Sequence, residues 1–223
     1  MQLGAVILKI GPDVLSDAIA WFSQARGEGP AIATHQGSGR DCVYTVHATK
    51  VGAVRIPWTT YKHACEEAGA SWCVLVRVIP HTAIEQMVIA RLLDEMTGHD
   101  GGGKPWKYSV LEIGLQMADG IINKALREET RRRLPGTVQI GRHHEIFWFR
   151  RYGNLIARRV ICSRTGNRWL ARVDDVPAVL EHGSPDDTAD YLLHSGKWTI
   201  DECSPGWERH IDRVTAERLR MQI

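Results

Sequence analysis

Hydrophobic and polar residues alternate with a period of two along several short stretches of the chain, which predicts β-strands. The alternation is sharpest at 42–48, and the stretch at 72–79 is almost continuously apolar and rich in β-branched residues, as in a buried strand. A turn of Gly, Ser and Asp at 37–41 separates two of the stretches and favours a hairpin. The predicted strands cover 4–10, 31–36, 42–48, 53–57, 72–79 and 198–200, and the aromatic run at 146–149 fits a strand or a buried helix.

Apolar residues at helical spacing fill most of the remaining chain, most clearly at 82–96. Asp13 or Ser16 can cap a helix that ends near Phe22, because both side chains accept hydrogen bonds from a first helical turn. Pro185 suits the first turn of a helix at 186–194. The other predicted helices cover 59–68, 108–117, 120–133, 162–173 and 208–221.

The order of these elements, with strands in the first third, then helices and one late strand, predicts an α+β fold. In such a fold a small antiparallel sheet has helices packed around it. The length of 223 residues suffices for one sizeable domain and a small appendage. We therefore expect one domain over 1–203 and a C-terminal helical extension over 204–223.

Composition narrows the classes of function. A net charge of +2 is too small to indicate a nucleic-acid partner. No window approaches the ~20 apolar residues that a membrane span needs. The N-terminus lacks a basic region before its short apolar run, so it resembles a first strand and not a signal peptide, and we expect the chain to be cytoplasmic as synthesised. Delivery in a phage particle would leave no such mark.

No cofactor or metal is predicted. The cysteines are odd in number and form no CxxC pair, which argues against a disulfide framework or a zinc site and fits a reducing compartment. The run His-His-Glu at 143–145 lacks the spacing of a zinc helix, and the glycine-rich loop at 101–104 lacks the Lys-Ser/Thr pair of a phosphate loop. The cysteines are Cys42, Cys65, Cys73, Cys162 and Cys203.

Cys162, His35 and His47 are the strongest candidates for chemistry. Cys162 opens a predicted helix, where the positive end of the helix dipole stabilises a thiolate. His35 and His47 fall on two strands that are predicted to pair, so one imidazole could act as base while the other orients it. The competing interpretation is that Cys162 is a small buried apolar residue and that both histidines are incidental strand residues.

Short motifs in the same order resemble the circularly permuted NlpC-like branch of the papain-like cysteine hydrolases. In that branch the histidine strand precedes the cysteine helix. The residues that carry the resemblance are Gly4-Ala5-Val6-Ile7-Leu8, Thr34-His35-Gln36-Gly37, Val46-His47-Ala48, Gly52-Ala53-Val54, Gly103-Lys104-Pro105-Trp106-Lys107-Tyr108, Ile161-Cys162-Ser163 and Ser184-Pro185-Asp186-Asp187.

The resemblance implies a papain-like fold with a small antiparallel sheet or barrel, and an amidase or peptidase with Cys162 as nucleophile, His35 as base and His47 as orienting residue. It also implies a peptidoglycan peptide or another amide as substrate, and phage tail proteins as partners where the domain is carried in a virion. Arg164 stands where the family has glutamate, and a shifted alignment puts Ala31 at the histidine position. These departures keep open a catalytically inactive structural or interaction protein of the same fold, such as a tail component.

Overall fold

A computed structural model describes residues 1–23, 31–100, 103–108, 159–160, 162–174, 176 and 183–210, and the statements below concern these residues. Eight strands are present: β1 (Val6–Ile10), β2 (His35–Gly39), β3 (Tyr44–Thr49), β4 (Gly52–Pro57), β5 (Ser71–Arg77), β6 (Lys107–Tyr108), β7 (Arg159–Val160) and β8 (Trp198–Cys203). Five helices accompany them: α1 (Val14–Ser23), α2 (Trp58–Glu67), α3 (Ala83–Thr97), α4 (Cys162–Val173) and α5 (Pro185–His194), followed by a 3-10 turn at Trp207–His210.

Six of the strands form one sheet in the order β4-β3-β2-β1-β5-β8, and each neighbouring pair in it is antiparallel. The short strands β6 and β7 pair in parallel beside it. The chain is therefore an α+β protein with an antiparallel sheet and several helices, as the order of the predicted elements indicated. None of the described helices is long and apolar enough to span a membrane.

Each face of the sheet carries its own apolar cluster, because successive residues of a strand point to opposite sides. On one side Leu8 and Leu75 pack with Trp169 of α4, and the α3 and α5 helices add further apolar residues to this cluster. We call this side the α4 face. On the other side Ile7 and Val74 join a smaller cluster with residues of α2, and we call it the α2 face.

Local side-chain caps explain where three helices begin. The carboxylate of Asp13 accepts hydrogen bonds from the backbone N–H and the hydroxyl of Ser16 at the start of α1. A full capping box formed with Thr82 starts α3, and another formed with Ser184 starts α5, each satisfying N–H groups that have no partner within the helix.

The prediction that Gly37, Ser38 and Gly39 form a turn is wrong, because these residues belong to β2. A side chain at Gly37 would overlap the His47 ring, and one at Gly39 would meet a backbone carbonyl of the N-terminal segment. Gly37 thus permits the close approach of a side chain on the neighbouring strand, and Gly39 that of the N-terminal backbone. The turn follows instead at Asp41, whose carboxylate accepts hydrogen bonds from the next backbone N–H groups.

Other predicted elements agree with the structure in part. The helix predicted at 108–117 is contradicted at its first residue, since Tyr108 lies in β6, and its remainder lies outside the described residues. The helix at 120–133 and the aromatic run at 146–149 also lie outside them. In the predicted extension, Ser204 hydrogen-bonds the backbone of Trp72 and Trp207 is fully buried in the core, while 211–223 lie outside the described residues.

Candidate functional site

The two candidate histidines lie on adjacent strands and face the same side of the sheet. His47 on β3 pairs directly with Gly37 on β2, and His35 stands two residues before Gly37, so both imidazoles project from the α2 face. The His47 ring lies over Gly37 and stacks on Tyr61 of α2, with 3.9 Å between ring centroids. The predicted pairing of the two histidine strands is therefore confirmed, and the two rings lie diagonally across the pair.

Both imidazoles are held in the neutral form. Burial, together with the positive charge of Lys9, lowers the pKa of His35 to about 4 and that of His47 to about 3. Neutral imidazole is the form that can accept a proton from a thiol, but a pKa this low makes each ring a weak base.

Contacts of Thr34 favour one tautomer of His35. Its hydroxyl oxygen lies 3.0 Å from Nδ1 of His35 and donates to the Lys9 carbonyl at 3.2 Å. A hydroxyl has a single proton to donate, so this pattern favours a His35 that donates from Nδ1 and keeps its lone pair on Nε2. His47 is oriented by the Tyr61 stack, and its buried Nε2 has no hydrogen-bond partner among the described residues.

The helix that begins with Cys162 packs against the other side of the sheet. The Trp169 indole donates to the Ser38 hydroxyl at 2.9 Å, and the backbone of Gly166 lies against the Gln36 side chain. Ser38 and Gln36 alternate with the residues of β2 that face α2, so the body of α4 is separated from both histidines by the sheet. The backbone of Cys162 belongs to the described structure and its side chain does not.

The start of α4 nevertheless lies near the end of the sheet at which His35 stands. Strand β7 ends two residues before Cys162, lies beside β4 and pairs with β6. The carbonyl of Trp106, just before β6, accepts a hydrogen bond from the N–H of Ala53 near the start of β4 at 3.0 Å.

Gly52 pairs with Thr49, and continuing the β2–β3 register brings His35 to the same end of the three strands. Neighbouring strands are ~4.8 Å apart, so β2 lies only about 10 Å from β4 across this end. The sheet lies between the body of α4 and His35, so the Cys162 and His35 side chains could meet only beyond the ends of these strands.

A buried polar network connects β2, α4 and α5. The Gln36 amide donates to Oδ1 of Asn167 at 3.0 Å, and the Thr188 hydroxyl donates to the same oxygen at 2.9 Å. The Asn167 amide in turn donates to the carbonyl of Gly183 at 3.2 Å. All of these groups are buried, so the network fixes how α4 is rotated against the strand that begins with His35.

Asp186 adds a second connection to the histidine strand. Its Oδ1 accepts hydrogen bonds from the backbone N–H groups of Ile32 at 2.6 Å and Ala33 at 3.4 Å. This anchors the chain just before His35 to the first turn of α5. Sequence reasoning assigned no role to Asn167 or Asp186. Asp186 stood within the Ser-Pro-Asp-Asp motif, which predicted a helix start, and Asn167 carried no signal.

The structure also bears on the role of Asp41 and on metal binding. Asp41 is structural, since it closes a turn and pairs with Arg55 at 3.1 Å. Within the described part of the chain, no group of three or more His, Cys, Asp or Glu residues could hold a metal ion. The run at 143–145 lies outside the described residues.

No family model, no curated protein and no solved structure matches this chain. The resemblance to the permuted NlpC-like hydrolases therefore rests on the short motifs of the sequence.

Proposed function

We propose that this chain is a thiol-dependent hydrolase of amide bonds with a papain-like, circularly permuted fold. The observation that supports it best is the placement of two imidazoles, those of His35 and His47, on adjacent strands near the sheet end that the start of the Cys162 helix approaches. The antiparallel sheet with flanking helices is compatible with such a fold.

In the proposed mechanism His35 takes the proton of the Cys162 thiol, and the thiolate attacks the amide carbonyl carbon. Backbone N–H groups of the first turn of α4 stabilise the negative charge that develops on the carbonyl oxygen. The amine then leaves with the proton from His35, and water hydrolyses the thioester with His35 again acting as base. His47 holds a positioning role, and its place beside Tyr61 keeps it fixed.

The proposed substrate is a peptide cross-link or stem of peptidoglycan. This choice comes from the resemblance alone, as does the placement of the protein in a phage particle. Any other amide of similar size stays within the same chemistry.

A second candidate is a non-catalytic structural or interaction protein of the same fold, for example a phage tail component. The specific observation in its favour is that the body of α4 packs on the face opposite the histidines. If that separation extends to the thiol, Cys162 has no base.

Digestion of defined muropeptides by the purified chain, followed by mass spectrometry, tests the proposal. Hydrolysis adds one water per cleaved bond. Cys162→Ala should lower the rate by roughly 10³-fold or more. Cys42→Ala is the matched control, because Cys42 is an exposed cysteine outside the site and its loss should leave the rate unchanged. Full activity of Cys162→Ala would refute the nucleophile assignment.

Thiol labelling separates the two candidates without a substrate. For a hydrolase, iodoacetamide at neutral pH should modify Cys162 before the exposed Cys42, because a thiolate reacts and a thiol does not. His35→Ala should abolish this preference and His47→Ala should weaken it. Slow labelling of Cys162 in the native chain, unaffected by His35→Ala, would favour the structural protein.

A further inference from the structure

Two thiols outside the proposed active site face each other across the sheet. Cys73 on β5 pairs directly with Cys203 on β8, the edge strand, and neither is in a disulfide. Cys73 is fully buried on the α4 face, and Cys203 packs against the same apolar cluster while retaining partial exposure. The two side chains therefore lie on one face of the sheet.

The hydrogen bonds of the adjacent residues show which kind of pair this is. The backbone N–H of Ser204 donates to the Trp72 carbonyl at 2.8 Å, and the N–H of Trp72 donates to the Ser204 hydroxyl at 2.8 Å. Hydrogen-bonded and non-hydrogen-bonded pairs alternate along an antiparallel ladder, so the next pair, Cys73 with Cys203, is of the non-hydrogen-bonded kind.

That kind of pair suits a disulfide. Its Cα atoms are ~4.5 Å apart, within the range of about 4.4–6.8 Å in which two cysteines can be bridged without moving the backbone. Burial raises the pKa of the Cys73 thiol well above its usual range, and a hydrogen bond with Cys203 raises it further, which is consistent with side chains in contact.

We propose that Cys73 and Cys203 form a reversible disulfide that fastens the edge strand β8 to β5 when the protein meets a low-molecular-weight disulfide. The thiolate of the more accessible Cys203 attacks the S–S bond of the oxidant, and one small thiol leaves. The thiolate of Cys73 then attacks the Cys203 sulfur of the mixed disulfide, and the second small thiol leaves. The protein loses two electrons and two protons, and the oxidant, reduced to two thiols, gains them.

The experiment exposes the full-length chain to oxidised glutathione, blocks the remaining thiols with iodoacetamide in denaturant, and maps the peptides by mass spectrometry. Trypsin together with Glu-C separates Cys65 from Cys73, because Glu66 and Glu67 lie between them. The expected product is a cross-link between peptides 68–77 and 203–208, with Cys42 and Cys65 outside it. Dithiothreitol should reverse it.

Thermal unfolding gives a second measurement. The cross-link closes a long loop, so the oxidised protein should have a Tm roughly 5 to 15 °C above that of the reduced protein. Cys203→Ala should abolish both the cross-link and the shift, while the control Cys42→Ala keeps both. The proposal is overturned if Cys203 stops at the glutathione adduct with Cys73 alkylated, or if the cross-link joins other cysteines. None of these outcomes depends on hydrolase activity.

Discussion

Gly37→Ala tests whether the His47 ring can pack over residue 37 only because glycine has no side chain. A Cβ at this position would lie 2.8 Å from Nε2 of the His47 ring and nearer still to Cε1 and Nδ1. Carbon atoms normally stay ~3.5–4.0 Å from such atoms, so the ring must shift by about 1 Å or more. Tyr61, stacked at 3.9 Å between centroids, restricts that movement.

The expected loss of stability follows from two opposing effects. Overpacking of this kind destabilises by about 1–3 kcal/mol, while replacing glycine by alanine restricts the unfolded chain and stabilises by about 0.4–1 kcal/mol. We expect a net loss of about 1–2 kcal/mol in the free energy of unfolding. Guanidinium unfolding measures it, and the midpoint should fall without a change in m.

A double-mutant cycle with His47→Ala separates the clash from other effects. In the double variant the methyl group meets no ring, so the summed single losses should exceed the double loss by about 1–2 kcal/mol. Strictly additive losses, or a Gly37→Ala protein as stable as the parent, would refute the close approach of His47 to Gly37.

Three further predictions use the same unfolding assay at controlled pH. Burial lowers the pKa of His35 to about 4 and that of His47 to about 3. As the pH falls below 6.5, the unfolded chain therefore binds protons at these two histidines before the folded chain does. Stability should thus fall between pH 6.5 and 5 by on the order of 2 kcal/mol per histidine, and an unchanged slope after His→Gln at both positions would contradict this. Burial raises the pKa of Asp174 to about 6 even though the Arg77 guanidinium lies 3.1 Å from its Oδ1, so the folded protein holds that proton longer and loses stability as pH rises from 4 to 6. Asp174→Asn should therefore stabilise the protein at pH 8 by about 1–3 kcal/mol and leave it unchanged at pH 4; a loss at pH 8 would mean that the carboxylate is well paired. Asn167→Ala removes the acceptor of the Gln36 amide and should destabilise by about 2–4 kcal/mol, with a loss under about 1 kcal/mol counting against the network.

Local pattern predicted most of the helices and strands because each is specified by neighbouring residues. The start of α4 at Cys162 followed from the polar residues after an apolar stretch, and the start of α5 followed from Ser184 and Pro185. The pattern failed at β2, where glycines predicted to form a turn lie in a strand. Gly37 makes room for the His47 ring of the neighbouring strand, and local composition does not reveal a contact between strands.

The candidate site divides in the same way. Sequence alone nominated Cys162, His35 and His47 and predicted that the two histidine strands pair. It could not show which face of the sheet each helix covers. Only the structure shows that α4 packs on the face of Ser38 while both imidazoles lie on the face covered by α2.

Residue order alone determined the α+β class, the pairing of the histidine strands and the helix that begins at Cys162, because periodicity and helix caps act over a few residues. The tertiary structure decided which side of the sheet each helix covers, how deeply His35 and His47 are buried, and that Cys73 meets Cys203. These features depend on contacts between segments far apart in the chain, such as Trp169 with Ser38, 131 positions apart, and Cys73 with Cys203. Only the packed sheet brings such segments together, since pairing across it is set by register and burial and not by neighbours along the chain.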